Sequence, residues 1–230
     1  MKVAIIHINL RGFDNPVPPA DQELPEGIDQ VDYHCFTDKD FPPIADLPGR
    51  FQYRIPKLFA WQMLPGYDYY LHLDGEWTLK RADSLRWYME QLGNGDIGFY
   101  AHPNRSTIKD EVQHIDDYLN RRHGTKKGQD YIITRYNNGL HKEQLADIKL
   151  DPDFVDDKLY ASTIMFYRDS EEVRDMMRLW WLHQSRYYTC DQVALPYALW
   201  KSGLVVKTFD QAIYKTGHMS KTGYHKEKKV

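Results

Sequence analysis

The sequence predicts an α/β fold: one domain over residues 1–214, with a mostly parallel central sheet flanked by helices, and a polar, basic tail at 215–230. Two patterns carry this prediction. Short apolar runs rich in Val, Ile and Tyr alternate with longer segments whose apolar residues recur at helical spacing, the order of successive strand–helix–strand units. The bulk numbers agree, because 230 residues that are 42% hydrophobic and 27% charged suffice for one sizeable core.

Taken in order, residues 2–8 (KVAIIHI) are a β-branched run that stops at Asn9-Leu10-Arg11-Gly12, as a buried parallel strand does. Residues 15–27 are rich in Pro and acid and read as a loop. Residues 31–37 (VDYHCFT) form a second strand, and 40–49, punctuated by Pro42, Pro43, Pro48 and Gly49, a second loop. Residues 54–63 place Ile55, Leu58, Phe59 and Met63 on one helical side, with Pro56 tolerable in the first turn. Residues 69–73 (YYLHL) are a strand, 82–92 an amphipathic helix and 96–101 (DIGFYA) another strand. Helical patterns follow at 108–122 and 129–136, joined by a basic stretch from Arg121 to Lys127. Residues 162–167 (STIMFY) are a strand, and 170–184 a helix that Ser170 caps and that Glu171 and Glu172 favour at its positive end. A helix at 192–201, against which Pro196 speaks, and a strand at 204–209 complete the domain.

Several function classes are excluded. No Gly-rich dinucleotide loop and no P-loop follows a strand, which removes the commonest redox and phosphoryl-transfer chemistries of α/β proteins. A net charge of −3 is no polycation signature for nucleic acid. Cys35 and Cys190 fit neither a disulfide framework nor a CxxC metal site, the first apolar run is too short for a secretory signal, and no stretch is apolar enough to span a membrane. The expectation is a cytoplasmic chain. Aromatics reach 14%, which suits stacking on planar ligands and equally suits an aromatic core.

In open α/β sheets, ligands bind beyond the carboxyl ends of the strands. The best chemical candidate at such an end is Asp74-Gly75-Glu76. A hydrophobic strand stops at a carboxylate, Gly permits an unusual backbone, and a second carboxylate follows. Two such carboxylates can face one hard divalent ion, Mn²⁺ or Mg²⁺, whose shell diphosphate oxygens complete. The bland alternative is a strand-ending turn with Glu76 solvated.

Asp74-Gly75-Glu76 resembles a variant of the DxD motif of GT-A glycosyltransferases. The wider pattern is similar to the glycosyltransferase-like domain family typified by the plant turgor-regulation-defect proteins. The matching segments are Cys35-Phe36-Thr37-Asp38, Arg54-x-x-Lys57, Tyr70-Leu71-His72-Leu73-Asp74-Gly75, His102-Pro103-x-Arg105 with Glu111, and Cys190-Asp191-Gln192, in the family's order across residues 31–200. Family members often continue Asp-Gly with a residue other than Glu. The resemblance implies a GT-A domain in which Asp74 meets the donor ribose or the metal and Glu76 ligates the metal. Thr37 and Asp38 would then meet the base or ribose, or merely cap a loop. Arg54 and Lys57, one turn apart, would hold the diphosphate, or form a solvated helix face. His102 and Arg105 would touch substrate, with Glu111 pairing Arg105. Asp191 is the candidate general base, beside Gln192 at the transferred sugar, or else a helix N-cap. His218 would reach the metal or the diphosphate, or lie in a solvated tail.

The expected activity is a metal-dependent transfer of a sugar from a nucleotide-sugar donor, first of all a UDP-sugar, to a hydroxyl of a saccharide. The alternatives are transfer to hydroxymethylated bases in DNA and a non-catalytic sugar- or nucleotide-binding domain.

Overall fold

The structure, a computed structural model, describes residues 1–45, 47–120 and 138–222. The chain divides into two compact units. The first comprises residues 1–100, 163–174 and those from 204 onward, and the second residues 101–162 and 175–203. The basic stretch from Arg121 to Lys127, the helix predicted at 129–136 and His225 lie outside the described residues.

The first unit holds most of a six-stranded sheet. Strand β1 (Lys2–Asn9) runs parallel to β2 (Gln30–Thr37), from Lys2↔Gln30 to Asn9↔Thr37, and parallel to β3 (Tyr69–Leu73) from Val3↔Tyr69. A strand buried on both faces has no polar side to alternate with, which is why β1 and β3 read as unbroken apolar runs. Val3, Ala4 and Ile8 of β1 and Tyr70, Leu71 and Leu73 of β3 have no exposed surface. Strand β5 (Ile97–Ala101), β6 (Tyr160–Arg168) and β7 (Val206–Thr208) complete the order β2-β1-β3-β6-β5-β7. Here β7 is parallel to β5, while β6 is antiparallel to β3. The sheet is therefore mostly parallel with one reversed strand, because a buried apolar run does not encode the direction of its neighbour.

A second, two-stranded sheet pairs β4 (Trp77–Leu79) with β8 (Met219–Lys221) in antiparallel register, Trp77↔Lys221 to Leu79↔Met219. Residues 219–221 of the predicted tail are thus bound to the strand that directly follows the Asp74 turn. Strand β8 is short and mostly polar, so backbone pairing rather than an apolar pattern makes it.

The helix predicted over 54–63 is two short helices, α2 (Arg54–Leu58) and α3 (Ala60–Met63), and a further short helix, α1 (Gly49–Gln52), precedes them. Phe59, at φ −118°, interrupts the run between α2 and α3. Helix α4 (Ser84–Leu92) starts two residues later than its periodicity suggests and buries Leu85, Tyr88 and Leu92. The Tyr88 hydroxyl meets that of Tyr100 at 2.7 Å, which satisfies both in the core.

In the second unit, α5 (Ile108–Asn120), α6 (Leu140–Ile148) and α8 (Asp191–Ser202) contribute to a core that includes Ile108, Val112, Ile115, Ile148 and Val193. Helix α6 was not apparent in the sequence. Helix α8 carries Pro196 inside it. Helix α7 (Glu171–Tyr187) begins in the first unit and continues into the second, where the Trp180 indole donates to the Asp191 carbonyl at 3.1 Å. No helix among the described residues is long and apolar enough to cross a membrane.

One close approach gives a stability prediction. A Cβ on Gly98 of β5 would lie 2.6 Å from Phe209 Cζ, and nearer still to Cε1. Phe209 is packed among Tyr88, Tyr100 and Trp87, so it has little room to withdraw. Gly98→Ala should lower the unfolding free energy by about 1–3 kcal/mol, read as a lower urea midpoint with an unchanged m-value.

Candidate functional site

The carboxyl end of β3 is a tight turn. Asp74 N–H donates to Thr163 O at 2.9 Å, which extends the β3–β6 ladder by one residue, and Trp77 N–H returns to Asp74 O at 2.9 Å. Between them Gly75 is required by space. A Cβ there would stand 2.6 Å from Asp14 Cβ and 2.7 Å from Asp14 Oδ2. Asp14, 8% exposed, is thereby packed directly on the turn, with its N–H held by the Asn9 side chain at 3.1 Å.

The Asp74 carboxylate is the centre of a hydrogen-bonded group. Tyr53 Oη donates to Oδ1; His72 Nε2 lies 3.2 Å from the same oxygen and 3.0 Å from Tyr53 Oη. Lys57 Nζ stands 3.8 Å from Oδ1. The Lys57 side chain is 2% exposed and that of Asp74 27%, so the pair sits at a wall of the protein rather than in open solvent. Burial by itself would raise the Asp74 carboxyl. The Lys57 ammonium, the charge and hydrogen bond of His72 and the Tyr53 hydroxyl outweigh that effect and hold the group below the usual carboxylate range. Asp74 is ionised at neutral pH.

His7, on β1, is fully buried nearby. Its Nε2 donates to Trp77 O at 2.7 Å, which leaves Nδ1 to accept the Tyr33 hydroxyl at 3.0 Å. Burial pushes its imidazolium down to about 4, against the opposing pull of the Trp77 carbonyl and of the Asp74 and Asp14 charges. The ring is a neutral prop beneath the turn.

The three residues expected to ligate a metal do not come together. Glu76 uses both carboxylate oxygens elsewhere, with Lys221 Nζ 3.2 Å from Oε2 and the Trp77 indole donating to Oε1 at 3.2 Å. His218 is stacked flat on Trp87, centroids 4.8 Å apart and planes at 15°, with Nδ1 3.8 Å from Asp83. Its carbonyl, which accepts from Lys80 N and Ser84 Oγ, fixes it there. Among the described residues, no group of three or more His, Cys, Asp or Glu side chains is arranged to hold a metal ion. Asp74 fits a hard cation as a single oxygen ligand; Glu76 and His218, as placed, do not.

The other expected site residues divide between the units. Thr37 and Asp38 serve the loop: Thr37 N and Oγ1 donate to Asp40, and Asp38 Oδ1 accepts Arg11 N–H at 2.7 Å. Arg54 and Lys57 are each 2% exposed, so they are no solvated helix face. The Arg54 guanidinium lies 5.5 Å from the centre of the Phe51 ring. In the second unit, Arg105 joins His102, at 3.1 Å, to Glu111, and the buried Cys190 thiol points at Glu111 Oε1 at 3.7 Å. Burial first, then the Arg105 charge, pushes His102 down to about 4. Asp191 opens α8 and accepts the Ser162 hydroxyl at 3.1 Å, with Gln192 beside it. The residue in the N-cap position is Cys190, not Asp191.

Four residues at the Asp74 turn, Tyr53, Asp14, Lys221 and His72, are not among the candidates that the sequence offers. Only His72, two residues before Asp74 on a strand and hence on the same face, carried a usable signal.

Acid should weaken the fold in a defined window. The unfolded chain protonates His7 near pH 6.5 and the folded chain only near 4. The stability gained by burying it neutral is therefore complete above pH 6.5 and falls as the pH drops toward 4. His7→Gln, which can still donate to Trp77 O, should remove roughly 3 kcal/mol of that acid loss, measured by urea unfolding between pH 7.5 and 4. No protein-family model and no curated protein sequence matches the chain.

Proposed function

We propose that the Asp74 turn binds a nucleotide-sugar donor and that the chain is a glycosyltransferase passing the sugar to a hydroxyl of a saccharide. One observation supports this above the others. An ionised carboxylate stands at the carboxyl end of a central strand, partly open, with two hydrogen-bond donors on one of its oxygens and the Lys57 ammonium close by. Strand-end carboxylates in open α/β sheets stand where ligands bind. The order of motifs along the chain adds the reaction class.

Each residue then has a physical task. Asp74 accepts a hydroxyl hydrogen of the donor or ligates its cation. The buried Lys57 ammonium, beside Asp74, contributes the positive charge that a leaving nucleoside diphosphate needs, and its low exposure keeps that charge poorly screened. Gly75 lets Asp14 close the back of the turn. A Mn²⁺ or Mg²⁺ ion, when bound with the diphosphate, would supply further neutralisation of the leaving group, held on the protein side by Asp74 and otherwise by phosphate and water oxygens.

The test is a thermal-shift screen of nucleoside diphosphates and nucleotide sugars, with and without Mn²⁺. A ligand at about 100 times its dissociation constant adds roughly 2.7 kcal/mol. The expected result is a clear rise with one nucleotide class that disappears in Asp74→Ala. No rise with any nucleotide, or an equal rise in Asp74→Ala, would refute the donor-site reading. Slow hydrolysis of the responding nucleotide sugar in water separates an enzyme from a non-catalytic binding domain.

A further inference from the structure

Among the described residues, the Tyr53 and His72 hydrogen bonds to the Asp74 carboxylate both end on Oδ1, the oxygen that Lys57 Nζ approaches to 3.8 Å. We propose that Asp74 engages its ligand through Oδ2 alone, as a monodentate acceptor, and that Tyr53 is the positioning residue that fixes this choice. The inference rests on reading the turn as a donor site.

The donor and acceptor inventory leaves little freedom. A carboxylate only accepts, so the single Tyr53 hydroxyl proton goes to Asp74. His72 Nε2, 3.0 Å from Tyr53 Oη and 3.2 Å from Asp74 Oδ1, then has only acceptors before it and carries its own proton. Lys57 has no acceptor to offer. Two donors, with the Lys57 ammonium near them, thus require an acceptor at the Oδ1 position. Tyr53 holds its place because it stands at the passage from α1 to α2 in helical conformation, φ −52° and ψ −31°, with its N–H on Gly49 O at 2.8 Å. Its ring packs edge-on to His72 at 5.9 Å. What Oδ2 meets must be electropositive, either a ribose or sugar hydroxyl hydrogen or a divalent cation.

Asp74→Asn reads the proposal directly, because it is isosteric and has one acceptor to place. The donors draw the amide oxygen to the Oδ1 position, and the NH₂ group then faces the ligand with the wrong polarity. In calorimetric titration with UDP, Asp74→Asn should lose affinity by about tenfold or more and bind no better than Asp74→Ala. The metal-free arm reads a hydroxyl partner and the Mn²⁺ arm a cation. Adding Tyr53→Phe to Asp74→Asn removes one pinning donor and should restore part of the metal-free affinity, whereas a tyrosine with a merely structural role would only lower it further. A double variant that binds no better than Asp74→Asn, or an Asp74→Asn protein that binds UDP clearly better than Asp74→Ala, overturns the proposal. If the wild type binds no UDP in either arm, the donor reading fails separately. The ¹⁵N-labelled Asp74→Asn protein then decides: the new amide protons should show no NOE to the Tyr53 ring, and a strong NOE would contradict the assigned orientation.

Discussion

The site depends on keeping one partly buried carboxylate ionised and motionless. Asp74 is placed by the parallel pairing of β1 with β3, which aligns Val3 with Tyr69 and carries the chain through five buried residues to the turn. Removing a carboxylate from water disfavours its charge, and an isolated one would simply take up a proton. Lys57, His72 and Tyr53 prevent this, and they do so from one side. The same three groups that preserve the charge therefore also orient it.

The neighbouring histidines show how environment separates like residues. His7 lies behind the turn, buried and pushed down to about 4, with each ring nitrogen committed to a hydrogen bond. His72 lies on the adjacent strand and spends its Nε2 on Asp74 and Tyr53. A charged His7 would compete with Lys57 for the field of Asp74; a neutral one fixes the Trp77 carbonyl and leaves that field intact. The Lys221–Glu76 ion pair and the β4–β8 pairing hold the far side of the turn, so residues 219–221 belong to the architecture of the site.

Much of this frame was legible in the sequence. Strands β1 and β3 appeared as β-branched and aromatic runs because burial on both faces leaves no polar alternation to confuse them. Asp74 stood out because a carboxylate followed by Gly is an abrupt end to such a run, and Gly75 proved necessary for the reason of close approach, with Asp14 as the neighbour. Tyr53 was hidden because its partner lies 21 residues away and its own segment breaks into three short helices. The two outer members of the expected metal set make local contacts of their own. Glu76 lies against Lys221 and the Trp77 indole, and His218 against Trp87, through contacts that no spacing announces. The reversed strand β6 is likewise set by long-range pairing that local patterns do not carry.

The most direct test of the central claim is a map of backbone and histidine side-chain NMR shifts on adding UDP, which needs no assumption about the acceptor or the sugar. The account predicts that the perturbed signals centre on the end of β3 and the Tyr53–Lys57 segment, with His72 among the most affected. Binding whose perturbations leave residues 53–57 and 72–76 unmoved would contradict it and place the nucleotide elsewhere on the chain.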